Sequence, residues 1–382
     1  MSVDHVERAL LKQLDKKLKP QKVLILLGAR RVGKTELLHK FLSQKSPDEY
    51  QLLNGEDQNT QDLLAKKSVD NYKQLVGKQK LLVIDEAQKI PEIGQKLKLM
   101  VDAIKGVKII ATGSSVFDLT NQLGEPLVGR STVLKMFPVS QLEFGKYETY
   151  IQTNGKLYER LLFGGYPELV HYDDFNEKIE YLDNLVSSYL LRDILEFEGI
   201  KKSGKLVDLL RLLAFQIGKE VSIDELAVSV KGISRNTVEH YLNLLEKVFV
   251  IYKVEGFSRN LRKEVTKTSR WYFYDNGVRN ALIKNFNSLD IRADIGELWE
   301  NYIMAERMKY NAYKQRLVST YFWRTYDQQE IDLIEECNGQ LSAFEFKWNT
   351  KKKVKPPGGW KRAYPKAKFH VIHPDNYLDY IT

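Results

Sequence analysis

Cysteine is almost missing from this chain of 382 residues: Cys337 is the only one. A single thiol excludes an intramolecular disulfide framework and a cysteine-rich zinc site, and it suits a reducing compartment. Long apolar runs are missing too, since no stretch approaches the ~20 apolar residues that span a bilayer. Met1–Lys19 carries charges throughout, which fits an amphipathic helix rather than a secretory leader. No internal repeat occurs, and only KWNTKKKVKPPGGWKR (347–362) is compositionally biased. These absences make a soluble, cytoplasmic protein with no membrane partner the expectation.

What the chain does have is material for folded domains. With 43% hydrophobic and 29% charged residues, it can build two or three cores. The net charge of +9 favours a polyanionic partner without selecting DNA over RNA or an acidic membrane. No amphipathic basic helix stands out to support the last of these. Between 21 and 145, apolar runs such as KVLILLGA, LLVIDEA and VKIIATGSS alternate with helical patterns such as KTELLHKFL. That rhythm predicts an α/β fold with a parallel sheet flanked by helices, its strands covered on both faces. A helical stretch follows from about 150 to 215, and 268–382 returns to mixed α and β. The expected division is 1–150, 151–285 and 286–382.

GARRVGKT, Gly28 to Thr35, matches the phosphate-binding pattern G-x-x-x-x-G-K-[ST] in full. It follows an apolar strand and opens a helix, the context the chemistry requires. Gly28, Ala29, Arg30, Arg31, Val32 and Gly33 would wrap their backbone N–H groups around phosphates at a helix N-terminus. Lys34 would reach the β- and γ-phosphates of ATP, and Thr35 would ligate Mg²⁺. Arg30 and Arg31 are expected to be solvated or backbone-bound. Fifty residues on, LLVIDEAQ ends a buried strand in two acids. Asp85 is placed to hold the Mg²⁺ shell and Glu86 to polarise the attacking water. At the end of the next strand, Thr112, Ser114 or Ser115 could sense the γ-phosphate. Arg130 could act as an arginine finger toward its own or a neighbouring subunit's nucleotide.

Together, GARRVGKT, LLVIDEAQ, ATGSS, GRSTVLKMFPVSQLEF, GGYPELV and YLLRDI resemble one group of bacterial and archaeal ATPases. These carry an AAA+-like ATPase domain followed by a C-terminal region of poorly defined role. The resemblance spans almost the whole chain. It implies ATP binding through Gly28–Thr35 and Asp85, and oligomeric assembly in which Arg130 reaches between subunits. The usual proline after the loop's first glycine is Ala29 here.

Residues 216–256 read as a winged helix-turn-helix. Ile223, Leu226 and Ala227 would pack the first helix, Gly232 would make the turn, and Ser234 would cap the second helix. Val238, Tyr241, Leu242 and Leu245 would face the core. A DNA-reading helix presents its N-terminal residues, here Arg235 and Asn236, to the major groove, where Glu239 is unhelpful near phosphates. A protein-interaction or spacer module is the other reading of the same pattern.

QEIDLIEECNGQLSAFEFKW (329–348) reads as a hairpin about Asn338-Gly339, because both positions tolerate the positive φ of a type I′ turn. The register then sets Asp332 opposite Glu345 and Glu330 opposite Lys347, all on one face. Ile331, Leu333, Phe344, Phe346 and Trp348 fall mostly on the other. Facing carboxylates repel and normally weaken a sheet, so the arrangement needs a reason. The stretch resembles the restriction-endonuclease-like PD-(D/E)xK superfamily. That resemblance implies a divalent metal on Asp332, Glu345 and Glu300 (or Glu297 one turn earlier), with Lys347 positioning water. Lys351, Lys352 and Lys353, with Lys355, Trp360, Lys361 and Arg362, could hold a phosphate backbone.

Three functions compete. The leading one is an ATP-hydrolysing machine acting on DNA. The second is an ATP-dependent oligomeric signalling switch whose C-terminal domain docks a protein partner, and the third is a Mg²⁺ nuclease gated by ATP.

Overall fold

The computed structural model describes residues 6–114, 127–190, 203–257 and 268–382. The chain divides into two compact units, one ending at Phe137 and also taking Lys247–Phe249, the other formed by Pro138–Glu246 and Val250–Thr382.

In the first unit, five strands form one parallel sheet: β1 (Lys22–Leu27), β2 (Tyr50–Asn54), β3 (Leu81–Asp85), β4 (Lys108–Gly113) and β5 (Ser131–Lys135). Their order is β2-β3-β4-β1-β5. All five residues of β3 are buried, as are the last five of β1 and of β4. Unbroken apolar strands are what a sheet with both faces covered requires, because no residue on them meets water. The register aligns Leu27 with Gly113 and Ile84 with Ala111, so the C-terminal ends of β1, β4 and β3 lie along one sheet edge. The loop after β1 and the acids after β3 therefore share an edge although fifty residues separate them.

Seven strands form the sheet of the second unit: β6 (Glu220–Ser222), β7 (Ile251–Gly256), β8 (Thr268–Phe273), β9 (Ser319–Arg324), β10 (Glu330–Cys337), β11 (Gln340–Phe346) and β12 (Lys368–Ile372). Their order is β12-β11-β10-β9-β7-β8-β6. The expected boundary near 285 therefore does not fall between separate sheets. β7 of the middle segment pairs in parallel with β9 of the C-terminal one, through Glu255↔Tyr321 and Gly256↔Phe322. The expected boundary near 150 likewise falls inside this unit, which begins at Pro138.

The hairpin β10–β11 turns on Asn338 (φ 50) and Gly339 (φ 75), with Cys337 opposite Gln340 and Leu333 opposite Phe344. That is the anticipated register. The anticipated alternation fails at one point, because the pairing of β10 with β9 slips between Ile331 and Ile334. An odd and an even position, Ile331 and Ile334, thus join the same core cluster with Phe257, Trp323, Ala343 and Trp360. Such a bulge adds one residue to one strand and re-aims the side chains beside it, here Asp332.

A helix of 19 residues, Ile295–Tyr313, buries Trp299 and Ile303 completely. It also buries an ion pair: Arg307 Nε donates to Glu335 Oε1 at 3.0 Å, and Asn311 Nδ2 to the same oxygen at 2.8 Å. Both charged partners are 5% exposed or less. Removing one partner strands the other charge in the interior, at a cost of ~3–5 kcal/mol. We expect Glu335→Ala to lower the free energy of unfolding by about that much in urea titrations; a loss under about 1 kcal/mol would show that the pair is not buried as described.

Candidate functional site: a phosphate loop and an acid cluster

The turn from β1 into helix Lys34–Leu42 passes through Gly33 at φ 91, ψ 31, a left-handed conformation that favours glycine. Gly28 has no room for a side chain, since a Cβ there would lie 2.2 Å from the Met136 carbonyl oxygen. Val32 is buried, while Arg30 and Arg31 are exposed. Lys34 is buried, and its Nζ donates to the carbonyls of Gly28 and Ala29, each at 3.0 Å. The ammonium thus lies folded inside the curl of its own loop.

Thr35 Oγ1 donates to Asp85 Oδ2 at 2.8 Å. Thr112, at the end of the intervening β4, donates its hydroxyl to the other Asp85 oxygen and accepts the Glu86 N–H at 3.0 Å. Glu86 turns the chain at φ 49, ψ 43, and its carboxylate accepts a hydrogen bond from Gln88 Nε2. The same Gln88 nitrogen reaches Ser114 Oγ at 3.2 Å, whereas Gln88 Oε1 is buried with no hydrogen-bond partner among the described residues. Ser115 lies outside the described residues. A hydroxyl and a carboxylate in contact beside an ammonium are hard-oxygen donors of the kind Mg²⁺ takes alongside phosphate oxygens, so Thr35 and Asp85 fit that ion.

Two features of this site were not visible in the motifs. Arg8, 6% exposed, donates to the Val32 carbonyl at 2.5 Å and also to that of Phe137, tying an early segment to the loop. Gln88 links Glu86 to Ser114. One expectation is corrected. Arg130 precedes β5, and its carbonyl accepts the Val23 N–H at 2.9 Å, which puts it at the start of β1. About 3.3 Å per residue over six residues sets it ~20 Å from its own loop. Its guanidinium is exposed and donates to Asp102 at 2.7 Å. It does not reach its own phosphate loop.

In the second unit, helix Ile223–Val230 and helix Arg235–Lys247 are joined through Lys231 (φ 50) and Gly232 (φ 78), followed by the β7–β8 pair. Ser234 accepts the Thr237 N–H at 3.2 Å as a cap. Val238, Tyr241, Leu242 and Leu245 are buried as anticipated, and Leu226 with them, whereas Ile223 and Ala227 are half-buried. Arg235 and Asn236 are exposed, but Arg235 is ion-paired with Asp224 at 3.0 Å and Glu239 at 3.2 Å. Lys351, Lys352 and Lys353 are exposed. Trp360 is 1% exposed within the hairpin core, so it is no stacking platform.

The structure does bring Glu300, Asp332, Glu345 and Lys347 together. Lys347 Nζ donates to Glu345 Oε1 at 2.6 Å, the Phe346 N–H to Asp332 Oδ2 at 2.7 Å, and Tyr272 OH to Glu300 Oε1 at 2.7 Å. Glu330 pairs with Arg270 at 3.0 Å rather than with Lys347. Arg270 and Tyr272, both on β8, were not among the expected residues. Among the described residues, no three acidic, histidine or cysteine side chains converge as a metal-holding group. Each acid is already held by a donor of the protein itself.

Residues 20–145 match the model of a family described as AAA domain. The phosphate-loop unit has the fold of a P-loop NTPase, and its sequence is similar to that AAA domain. Residues 154–289 match a domain of unknown function, DUF8612, and 295–379 another, DUF4143. Chains similar along most of their length include an uncharacterized protein of Methanocaldococcus jannaschii, 26% identical over 77% of this chain and 68% of its own. An uncharacterized protein of Mycobacterium tuberculosis is 25% identical over 85% of this chain and 70% of its own. One from Haemophilus influenzae is 26% identical over 86% and 84%. Among solved structures, AMPPCP-bound DnaA from Aquifex aeolicus aligns at 16% identity and TM-score 0.26, covering 62% of this chain and 86% of that one. Drosophila ORC bound to DNA aligns at 16% identity and TM-score 0.26, over 72% and 94%. Scores of that size carry no argument about function. No described helix is long and apolar enough to cross a membrane.

The acid cluster has a measurable consequence. Burial, with Asp332 close by, pushes Glu300 up to about 8 and Glu345 up to about 7, from an ordinary 4.5. Burial raises Asp332 as well. Between the unfolded and folded values, the folded state binds more protons than the unfolded one, so stability falls as pH rises. We expect stability from urea unfolding to decline from about pH 4.5 to about pH 8, and Glu300→Gln to flatten the upper part of that decline. A profile unaltered by Glu300→Gln would remove Glu300 as its source.

Proposed function

We propose that the chain is an ATP-hydrolysing switch that acts on nucleic acid, DNA foremost. The observation that carries the ATPase half is the 2.8 Å contact between Thr35 and Asp85 beside the buried Lys34. On ATP binding, Lys34 exchanges the Gly28 and Ala29 carbonyls for β- and γ-phosphate oxygens, and the loop N–H groups take the rest. Thr35 and Asp85 would hold Mg²⁺, which when bound neutralises charge building on the phosphates. Glu86, steadied by Gln88 and Thr112, orients water for in-line attack and accepts its proton. Arg130, exposed and remote from its own loop, suits a finger role only toward a neighbouring subunit's nucleotide, which would require an oligomer.

The nucleic-acid half rests on exposed positive charge in the second unit and on reading its two helices and the β7–β8 pair as a winged helix-turn-helix. Arg235 and Asn236 begin its second helix, and Lys351, Lys352 and Lys353 form a separate basic run. Arg235 must leave Asp224 and Glu239 before it can meet a phosphate, so the basic run carries more of this reading. A protein-docking switch shares the ATPase half and differs in this one.

Lys34→Ala should abolish the calorimetric heat of ATP binding. Glu86→Gln should keep that heat and cut turnover by ~10²–10⁴, the range for a lost general base; equal loss of binding would reassign Glu86 to the phosphate cradle. DNA should stimulate turnover, and replacing Lys351, Lys352 and Lys353 together by Glu should remove the stimulation. Turnover indifferent to any DNA or RNA would favour the protein-docking switch and leave the ATPase half standing.

A further inference from the structure

The C-terminal acids stand where the superfamily resemblance implies a divalent metal, yet a side chain of the protein supplies the positive charge. Arg270 comes from β8, within the 154–289 segment, while Glu300, Asp332 and Glu345 belong to the 295–379 segment. It is 4% exposed. Its Nη2 lies 3.0 Å from Glu330 Oε2, and its Nη1 lies 3.8 Å from Glu300 Oε1 and 3.9 Å from Asp332 Oδ1. The guanidinium carbon sits 4.7 Å from the centre of the buried Phe322 ring, a cation–π contact.

We infer that Arg270 is an internal counter-cation that takes the place of the divalent ion and closes this acid cluster to Mg²⁺, so that the hairpin as folded does not cleave phosphodiesters.

Three observations beyond proximity bear on this. Lys347, the Phe346 N–H and the Tyr272 hydroxyl each already bond one oxygen of Glu345, Asp332 and Glu300, so an arriving ion would have to share or displace donors of the protein itself. Among the described residues, Arg270 Nε is buried with no hydrogen-bond partner, so the single bond from Nη2 to Glu330 does not by itself account for the position. The charge of the acids does, because a buried carboxylate cluster without a cation is costly. Finally, a Cβ at Gly218 would come within 2.7 Å of Glu300 Oε1, so backbone walls the cluster beside Glu300. Lys347 remains on Glu345, where it completes the charge pairing rather than activating water.

The test uses the full chain without nucleotide, in a Thr35→Ala background that removes the phosphate loop's claim on metal. Mn²⁺ binding is read from the free-ion electron paramagnetic resonance signal, for Arg270 and for Arg270→Met, each with and without Asp332→Asn. The expectation is no Asp332-dependent Mn²⁺ site with Arg270 in place. In Arg270→Met, one new site should appear and vanish with Asp332→Asn. Arg270→Lys, which keeps the charge, should behave as the unaltered residue. An Asp332-dependent site with Arg270 intact would overturn the inference, and that comparison stands even if Arg270→Met fails to fold. A folded Arg270→Met that gains no site would overturn it as well.

Discussion

A hydrogen bond of 2.8 Å from Thr35 to Asp85 joins two segments fifty residues apart, and the rest of the phosphate-loop site is arranged about it. It can form only because β1 and β3 run parallel and end at the same sheet edge, with β4 between them. The intervening strand is not a spacer. Thr112 at its end holds the second Asp85 oxygen and the Glu86 backbone, so three strands position one carboxylate pair. Glycines at 28 and 33 serve the same end, one by leaving room for the Met136 carbonyl, the other by making the left-handed turn into the helix.

The second unit solves a different electrostatic problem. Glu300, Glu330, Asp332 and Glu345 gather on or beside neighbouring strands and one helix, an arrangement that repels itself in a medium of low polarity. Two cations of the chain, Arg270 and Lys347, are drawn among them, and burial raises the proton affinity of the acids they do not fully neutralise. The same reasoning that makes such a cluster attractive as a metal site explains why it can be satisfied without one. A PD-(D/E)xK-like sequence is therefore consistent with more than one occupant of the charge deficit.

Much of the phosphate loop could be read from the chain because its residues are contiguous, and the backbone conformation they demand is local. The hairpin register was equally legible, since Asn338 and Gly339 accept positive φ and a two-residue turn leaves no freedom in pairing. The slip between Ile331 and Ile334 was not, because it arises against β9 and no local residue announces it. Arg8, Gln88 and Arg270 went unnoticed for a related reason: nothing in their immediate neighbours distinguishes them from ordinary polar residues.

By itself, then, the sequence determined the elements whose geometry is set within a few residues: the glycine-bounded loop, the apolar strands, the Asn-Gly turn and the acids that follow buried strands. The tertiary structure alone decided which distant charges meet, placing Arg130 away from its loop and Arg270 among the acids. Turn and strand preferences act over short stretches of backbone. Which cation reaches which carboxylate depends on strand order, and strand order is settled by packing across the whole sheet.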